Sequence, residues 1–278
     1  MSLVYDLHSH STASDGTLTP AELVRHAAAA GVDVLALTDH DTTSGIGEAA
    51  AAAASIAGFR LVAGIEISVT WNGRTVHIVG LGIDLHDGVL QQGLERLIAF
   101  RQWRAGEIGR RLAKAGIEDA CRHAQGYSNG TLISRTHFAR YLVEIGKAKD
   151  MRDVFRHFLV AGKPGHVAGD WASLEQAVNW IRSAGGQAVI AHPARYRMTR
   201  TKLRKLIGEF VECGGEGIEV VSGSHSRDDV FTMARHAADF GLLASCGSDF
   251  HSPDHAWTRM GRLQELPPGC SPVWRTWT

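Results

Sequence analysis

Nine side chains with metal-ligating atoms punctuate this chain: His8, His10, Asp15, His40, Glu66, His77, His192, Asp249 and His251. Each stands where a parallel α/β barrel would place the mouth of a strand, at the end of a short apolar run or as a polar interruption within one. Imidazoles and carboxylates with no thiolate nearby suit Zn, Mn or Fe in an open catalytic site better than in a closed structural one.

The spacing favours shared ligation. His8 and His10 stand at i, i+2, so on a strand both point to one face, and Asp15 follows. His40 comes directly after a strand, flanked by Asp39 and Asp41, which either orient its ring or cap the next turn. Glu66 interrupts an apolar run, where a carboxylate is costly unless paired or metal-bound. It either meets an arginine or joins two ions through its two oxygens. His77 alone would read as a core histidine, but its setting matches that of Glu66. His192 precedes a proline at a strand end, and Asp249 and His251 repeat the i, i+2 spacing.

Other residues bear on a substrate. Ser134 and Arg135 open a helix, where free N–H groups and a guanidinium suit a phosphate. Arg101 and Arg104 share one helix face, which contacts an anion or is simply solvated. His225 follows a late strand and is a candidate proton donor to a leaving oxygen, the alternative being a loop histidine.

The elements that would position these groups follow a βα rhythm. Strands are expected at 3–7, 32–37, 61–70, 75–81, 187–191, 216–221 and 242–246, with Asn72-Gly73 as a hairpin turn. Helices are expected from the capping boxes at Thr19 and Ser173, and over about 44–57, 201–213 and 226–240. About seven strands, mainly parallel, suffice to close a barrel, with an open sheet as the alternative. From about Leu90 to Gly162 helical patterns succeed one another without a strand. This divides the chain into a first barrel part (1–96), a helical insertion (97–165) and a second barrel part (166–278).

Bulk properties narrow the partners. The 278 residues are 44% hydrophobic, ordinary for a soluble domain. The 29 Lys+Arg balance the 29 Asp+Glu, so the excess of basic charge expected for gripping long duplex nucleic acid is absent. Cys121, Cys213, Cys246 and Cys270 form no CxxC pair, as expected of free thiols in the cytoplasm. No secretory leader or membrane span is read, and no protein partner is expected.

The run D-L-H-S-H at 6–10, T-D-H at 38–40, G-I-E at 64–66, His77, A-H-P at 191–193 and S-D-F-H at 248–251 occur in order over nearly the whole chain. Together they resemble the motifs of the PHP (polymerase and histidinol phosphatase) family. The resemblance implies a distorted (β/α)7 TIM-like barrel with a two- or three-metal phosphoesterase site. It implies that His8, His10, Glu66 and Asp249 hold one ion. Glu66 is shared with a second ion on His77 and His192, and Asp15, His40 and His251 hold a third. The segments at 134–143 and 162–167 resemble the helical insert of PHP phosphatases acting on nucleotides and RNA 5′ ends. That branch carries Pro where Thr136 stands and an aromatic where His166 stands, departures that bear on the substrate rather than the metals.

The expected activity is hydrolysis of one phosphate from a 3′,5′-bisphosphate nucleotide. A metal-bound hydroxide would attack phosphorus in line, with Mn2+ foremost and Zn2+ or Fe2+ as alternatives. The rivals are a 5′–3′ exoribonuclease on short RNA, a metal-dependent amidohydrolase, and a non-catalytic metal-binding module. The amidohydrolase class often uses a carboxylated strand lysine, and the strands expected before His192 hold none.

Overall fold

The computed structural model describes residues 3–128, 132–254 and 258–277. Seven strands follow one another in chain order around one sheet: β1 Tyr5–Asp6, β2 Val34–Leu37, β3 Arg60–Trp71, β4 Arg74–Leu81, β5 Gln187–Ile190, β6 Gly217–Ser222 and β7 Leu243–Gly247. The ends of the sheet meet. Leu7 N–H donates to the Cys246 carbonyl, Asp249 N–H donates to the His8 carbonyl, and Ser9 bridges Phe250 in parallel. The open-sheet alternative is thereby replaced by a nearly closed barrel.

Strand β4 runs against both neighbours, β3 and β5, while every other pairing is parallel. The cause is local. Asn72 and Gly73 both have positive φ (49° and 72°), the geometry of a two-residue hairpin turn, and such a turn joins only antiparallel strands. His77 is therefore not at the C-terminal end of a parallel strand, as the sequence pattern had it. It lies in the first half of a reversed strand, opposite Ser68, and the reversal brings it to the same end of the barrel as its partners.

Helices alternate with the strands: α1 Pro20–Ala29, α2 Ile46–Ala53, α3 Gly88–Lys114, α4 Ala120–Gln125, α5 Arg135–Glu144, α6 Met151–Val154, α7 Leu174–Ser183, α8 Arg200–Glu212 and α9 Arg227–Phe240. The Thr19–Glu22 and Ser173–Gln176 capping boxes form as expected. Helix α2 is shorter than the expected span of about 44–57, starting at Ile46 after Gly45, which offers no side-chain cap, and ending at Ala53. On β2, Val34 and Ala36 join one core with Leu7, Val79 and Val189, while Leu35 and Leu37 join another under α1 and α2. That is the two-residue period of a barrel strand buried on both faces.

Between β4 and β5 the described residues carry helices and no strand. Helix α3 spans two cores. Leu90, Leu94 and Leu97 pack on the barrel, whereas Ala105, Ile108 and Leu112 pack with Phe138, Leu142 and Leu159 of the helical segment. A π-helical turn, Phe155–Leu159, extends α6. Among the described residues no helix is long and apolar enough to cross a membrane.

Candidate metal centre and its arginine wall

The strand ends bring all nine donors to one mouth. His8 Nε2 lies 3.1 Å from His10 Nε2 and 3.3 Å from Glu66 Oε2. Asp249 Oδ1 lies 3.6 Å from His8 Nε2 and 3.3 Å from His10 Nε2. The other Glu66 oxygen, Oε1, is 2.8 Å from His77 Nδ1 and 3.0 Å from His192 Nε2. Asp15 Oδ1 is 3.3 Å from His251 Nε2 and 3.9 Å from His40 Nε2. His40 stands between groups, its Nδ1 lying 2.8 Å from Glu66 Oε2 without hydrogen-bond alignment. Three overlapping sets have all donor atoms within 4.8 Å of one another: His8, His10 and Glu66; His40, Glu66 and His77; His10, Asp15, His40 and His251.

The chain bends to achieve this. His192 and Asp249 both take positive φ (31° and 55°), which is uncommon for non-glycine residues. Asp249 and His251 therefore do not share a strand face by i, i+2 spacing. The chain leaves the sheet at Gly247, and backbone bonds to His8 and His10 carry both residues back to the mouth.

Burial and crowding set the charge states. Burial alone would raise the Glu66 carboxyl, but the imidazoles of His40, His77 and His8 outweigh it and hold Glu66 well below the usual range. Burial, then the neighbouring His251 ring, pushes His10 down to about 3. Burial also takes His77 down to about 4, despite Glu66 beside it. Three rings go the other way: against burial, the carboxylates beside them raise His8, His40 and His251, the last to about 9, so a divalent ion would displace protons from these rings on binding. Glu66 Oε2 and Asp15 Oδ1 are buried and accept no hydrogen bond, which is costly unless a cation meets them.

A buried shell supports the donors. Glu219, a carboxylate in the apolar strand β6, lies 2.5 Å from His8 Nδ1 through Oε1 and accepts the His192 N–H through Oε2 at 2.5 Å. Sequence reasoning missed it, although the signal that exposed Glu66 applies equally. Neither Asp39 nor Asp41 bonds His40. Asp39 accepts from Ser11 and Ser14, while Asp41 accepts from Ser68 N–H and Arg101. Both fasten loops, because each turn offers them unpaired donors closer than the ring.

The donors open into a cavity of about 170 Å³, also lined by Arg101, Arg104, Arg135 and Arg195. Arg101 and Arg104 do share a face of α3, but it is buried rather than solvated. Arg101 is neutralised by Asp41 at 2.6 Å, and Arg195, another residue the sequence did not reveal, donates to Asp249 Oδ2 at 2.6 Å. Arg104 spends two donors on the Val167 carbonyl, and burial together with Arg135 and Arg101 pushes it down to about 9. Arg135 has no hydrogen bond or ion pair among the described residues, and its guanidinium lies 5.5 Å from the Phe155 ring centroid. Ser134 caps α5 and donates to Asp15 Oδ2 at 3.1 Å, so its hydroxyl is already committed. His225 does not line this cavity. It borders a separate one with Arg259 and Arg262, its Nδ1 3.1 Å from the Val220 carbonyl.

A family model described as the PHP domain matches residues 6–212. A 3′,5′-nucleoside bisphosphate phosphatase of Chromobacterium violaceum is 53% identical over 271 residues, covering 97% of this chain and 95% of the relative. A 5′–3′ exoribonuclease of Haemophilus influenzae is 46% identical over 274 residues, 99% of each chain. A solved structure from Chromobacterium violaceum, described as an amidohydrolase with bound sulfate and no metal, matches with TM-score 0.93 at 53% identity, covering 98% of this chain and 94% of that one.

Proposed function

The chain belongs to the PHP domain family, and from that premise we propose that it is a divalent-metal phosphatase removing one phosphate from a 3′,5′-bisphosphate nucleotide. The observation that carries this reading is the meeting, in one cavity, of buried carboxylate oxygens that accept no hydrogen bond and an arginine wall on which Arg135 has no ion pair and Arg104 meets only a carbonyl.

The donor set fits metal. His8 Nε2, His10 Nε2, Glu66 Oε2 and Asp249 Oδ1 are spaced 3.1–3.6 Å apart where measured. Ligands at about 2.1 Å around a four-coordinate ion stand roughly 3.4 Å apart. These four residues would hold one ion. Glu66 with His77 and His192 would hold a second, and Asp15, His40 and His251 a third. Imidazole mixed with carboxylate suits Mn2+, Zn2+ or Fe2+, and Mn2+ is the ion proposed. Such ions, when bound, supply positive charge to the phosphoryl oxygens and activate water for attack on phosphorus.

The remaining steps belong to the protein. Glu219 holds His8 in one orientation, and Ser134 steadies Asp15. Arg135, with its fork unspent, takes the phosphate that is not cleaved, while Arg104 and Arg101 add positive potential behind it. Residues 97–165 act as a helical cap that carries these arginines over the barrel mouth. Four free cysteines accord with a cytoplasmic setting.

Phosphate release by the Mn2+-loaded protein tests the reading. A 3′,5′-bisphosphate nucleoside should exceed the corresponding monophosphate by about 30-fold or more in kcat/KM, since the monophosphate leaves Arg135 unpaired. Equal rates on both would overturn it. A second reading, 5′–3′ exoribonuclease activity on short RNA, draws support from the similarity to the Haemophilus influenzae exoribonuclease. A faster rate on a short RNA than on the bisphosphate would favour it. A lysine-carboxylate amidohydrolase finds no support in strands β1–β5, which hold no lysine.

A further inference from the structure

We infer that Phe155 is the residue on which the nucleobase stacks, and hence a specificity determinant that separates nucleotides from other bisphosphates. The inference deepens the proposed phosphatase function and rests on it. Apart from the four imidazoles of the metal centre, the aromatic rings lining the cavity among the described residues are Phe155 and Trp171. Trp171 is closed in more tightly than Phe155. It is buried, the Arg101 and Arg104 guanidiniums lie 5.0 and 5.3 Å from its ring, Phe100 meets it edge-on at 4.8 Å, and its Nε1–H is spent on Thr75 Oγ1. Phe155 is half-buried, with its inner side against the helical core and the rest of the ring bordering the cavity.

Its placement depends on an irregular backbone. Phe155 opens the π-helical turn, and its carbonyl accepts the N–H of Val160, five residues on, at 3.1 Å. A wider turn changes the angular step between residues, so Phe155 reaches the cavity while Leu159 stays in the helical core. Arg135 then stands over the ring, 5.5 Å from its centroid, so a base would share the exposed part of the ring with this one guanidinium, where Trp171 carries two. A phosphate on Arg135 and a base on Phe155 would thus be held side by side, the spacing a nucleotide supplies and a linear bisphosphate does not. Every base has a π-face, so stacking predicts selectivity for a base over none, with weak preference among bases.

The test compares two substrates on the Mn2+-loaded protein: adenosine 3′,5′-bisphosphate, and the tetrahydrofuran 3,5-bisphosphate that keeps both phosphates and lacks the base. Phe155→Leu, close in size but not aromatic, should raise KM for the nucleotide on the order of ten- to a hundredfold. The kcat should stay within about threefold, the abasic substrate should be unaffected, and Phe155→Tyr should restore the nucleotide KM. An equal loss on both substrates would show that Phe155 acts only by seating Arg135, and unchanged constants on both would show no contact; either overturns the inference. If the wild-type protein cleaves neither bisphosphate, the function itself fails, which is a different result from a wild-type enzyme that cleaves both equally well and thereby sinks only the stacking residue.

Discussion

The barrel mouth and the arginine wall face each other across one cavity with opposite deficits. At the mouth, the carboxylate oxygens Glu66 Oε2 and Asp15 Oδ1 are buried without a hydrogen bond. On the wall, Arg135 has no partner among the described residues, and Arg104 has only a carbonyl. The two halves also differ in construction. The mouth is built from strand ends locked by backbone bonds, such as Asp249 N–H to the His8 carbonyl, whereas the wall hangs on helices α3 and α5 and their separate core. The rigid half suits chemistry that tolerates little misplacement, and the helical half can be varied to suit a substrate without disturbing the metals.

The sharpest way to break this contrast is to remove charge from the mouth alone. Glu66→Gln nearly preserves volume but abolishes the carboxylate that both imidazole groups approach. Bound metal, measured by plasma emission, should fall by at least one ion per chain, and turnover should fall on the order of a thousandfold or more. Every substrate should suffer alike. Wild-type turnover in a folded variant would dissolve the multinuclear model.

The wall should fail differently. Arg135→Ala should cost about 2–4 kcal/mol, or roughly 30- to 1000-fold in kcat/KM, on a bisphosphorylated nucleotide. A generic aryl phosphate, having no second phosphate, should lose little, and bound metal should be unchanged. Equal losses on the two substrates would mean that Arg135 serves the reacting phosphate, and the contrast between the halves would blur.

A subtler test lies behind the mouth. Glu219→Gln keeps an acceptor near His8 Nδ1 but removes the charge that orients the ring. Metal affinity and turnover should drop about 10- to 100-fold together. Full metal affinity in this variant would confine Glu219 to holding the His192 backbone.

The same two regions explain what could be read beforehand. The nine residues that converge at the mouth could be singled out beforehand because each is a polar residue at or near the end of an apolar strand pattern. Glu219 obeys that rule too, yet its partners lie 27 and 211 residues away and no neighbouring histidine announces it. Arg195 was hidden for a like reason, since only the folded barrel sets it beside Asp249. The reversal at β4 was written in Asn72-Gly73, but its consequence for His77 emerges only when the hairpin is laid into the sheet. On α3 the spacing showed that Arg101 and Arg104 share a face. Which way that face turns was not legible, because the helix packs against two cores at once.

His225 makes the smallest and most discriminating prediction, because sequence position alone had placed it at the mouth. The register of β6 against β7 shifts between Glu219 and Val221, and such an irregularity changes the face on which later side chains emerge. His225 accordingly lines the neighbouring cavity, 93% buried by the complement of its 7% exposure, with Nδ1 near the Val220 carbonyl and Nε2 unpaired. Burial lowers its pKa, so it is neutral at pH 7 and its contribution is packing plus one hydrogen bond. His225→Ala should therefore lower stability by about 1–3 kcal/mol in a denaturant titration, from the lost bond and the space left behind. The kcat/KM should stay within about threefold and the pH–rate profile should keep both limbs. A hundredfold loss of kcat accompanied by disappearance of the limb set by a general acid would return His225 to the reaction, and would mean that the wall between the two cavities opens when substrate binds.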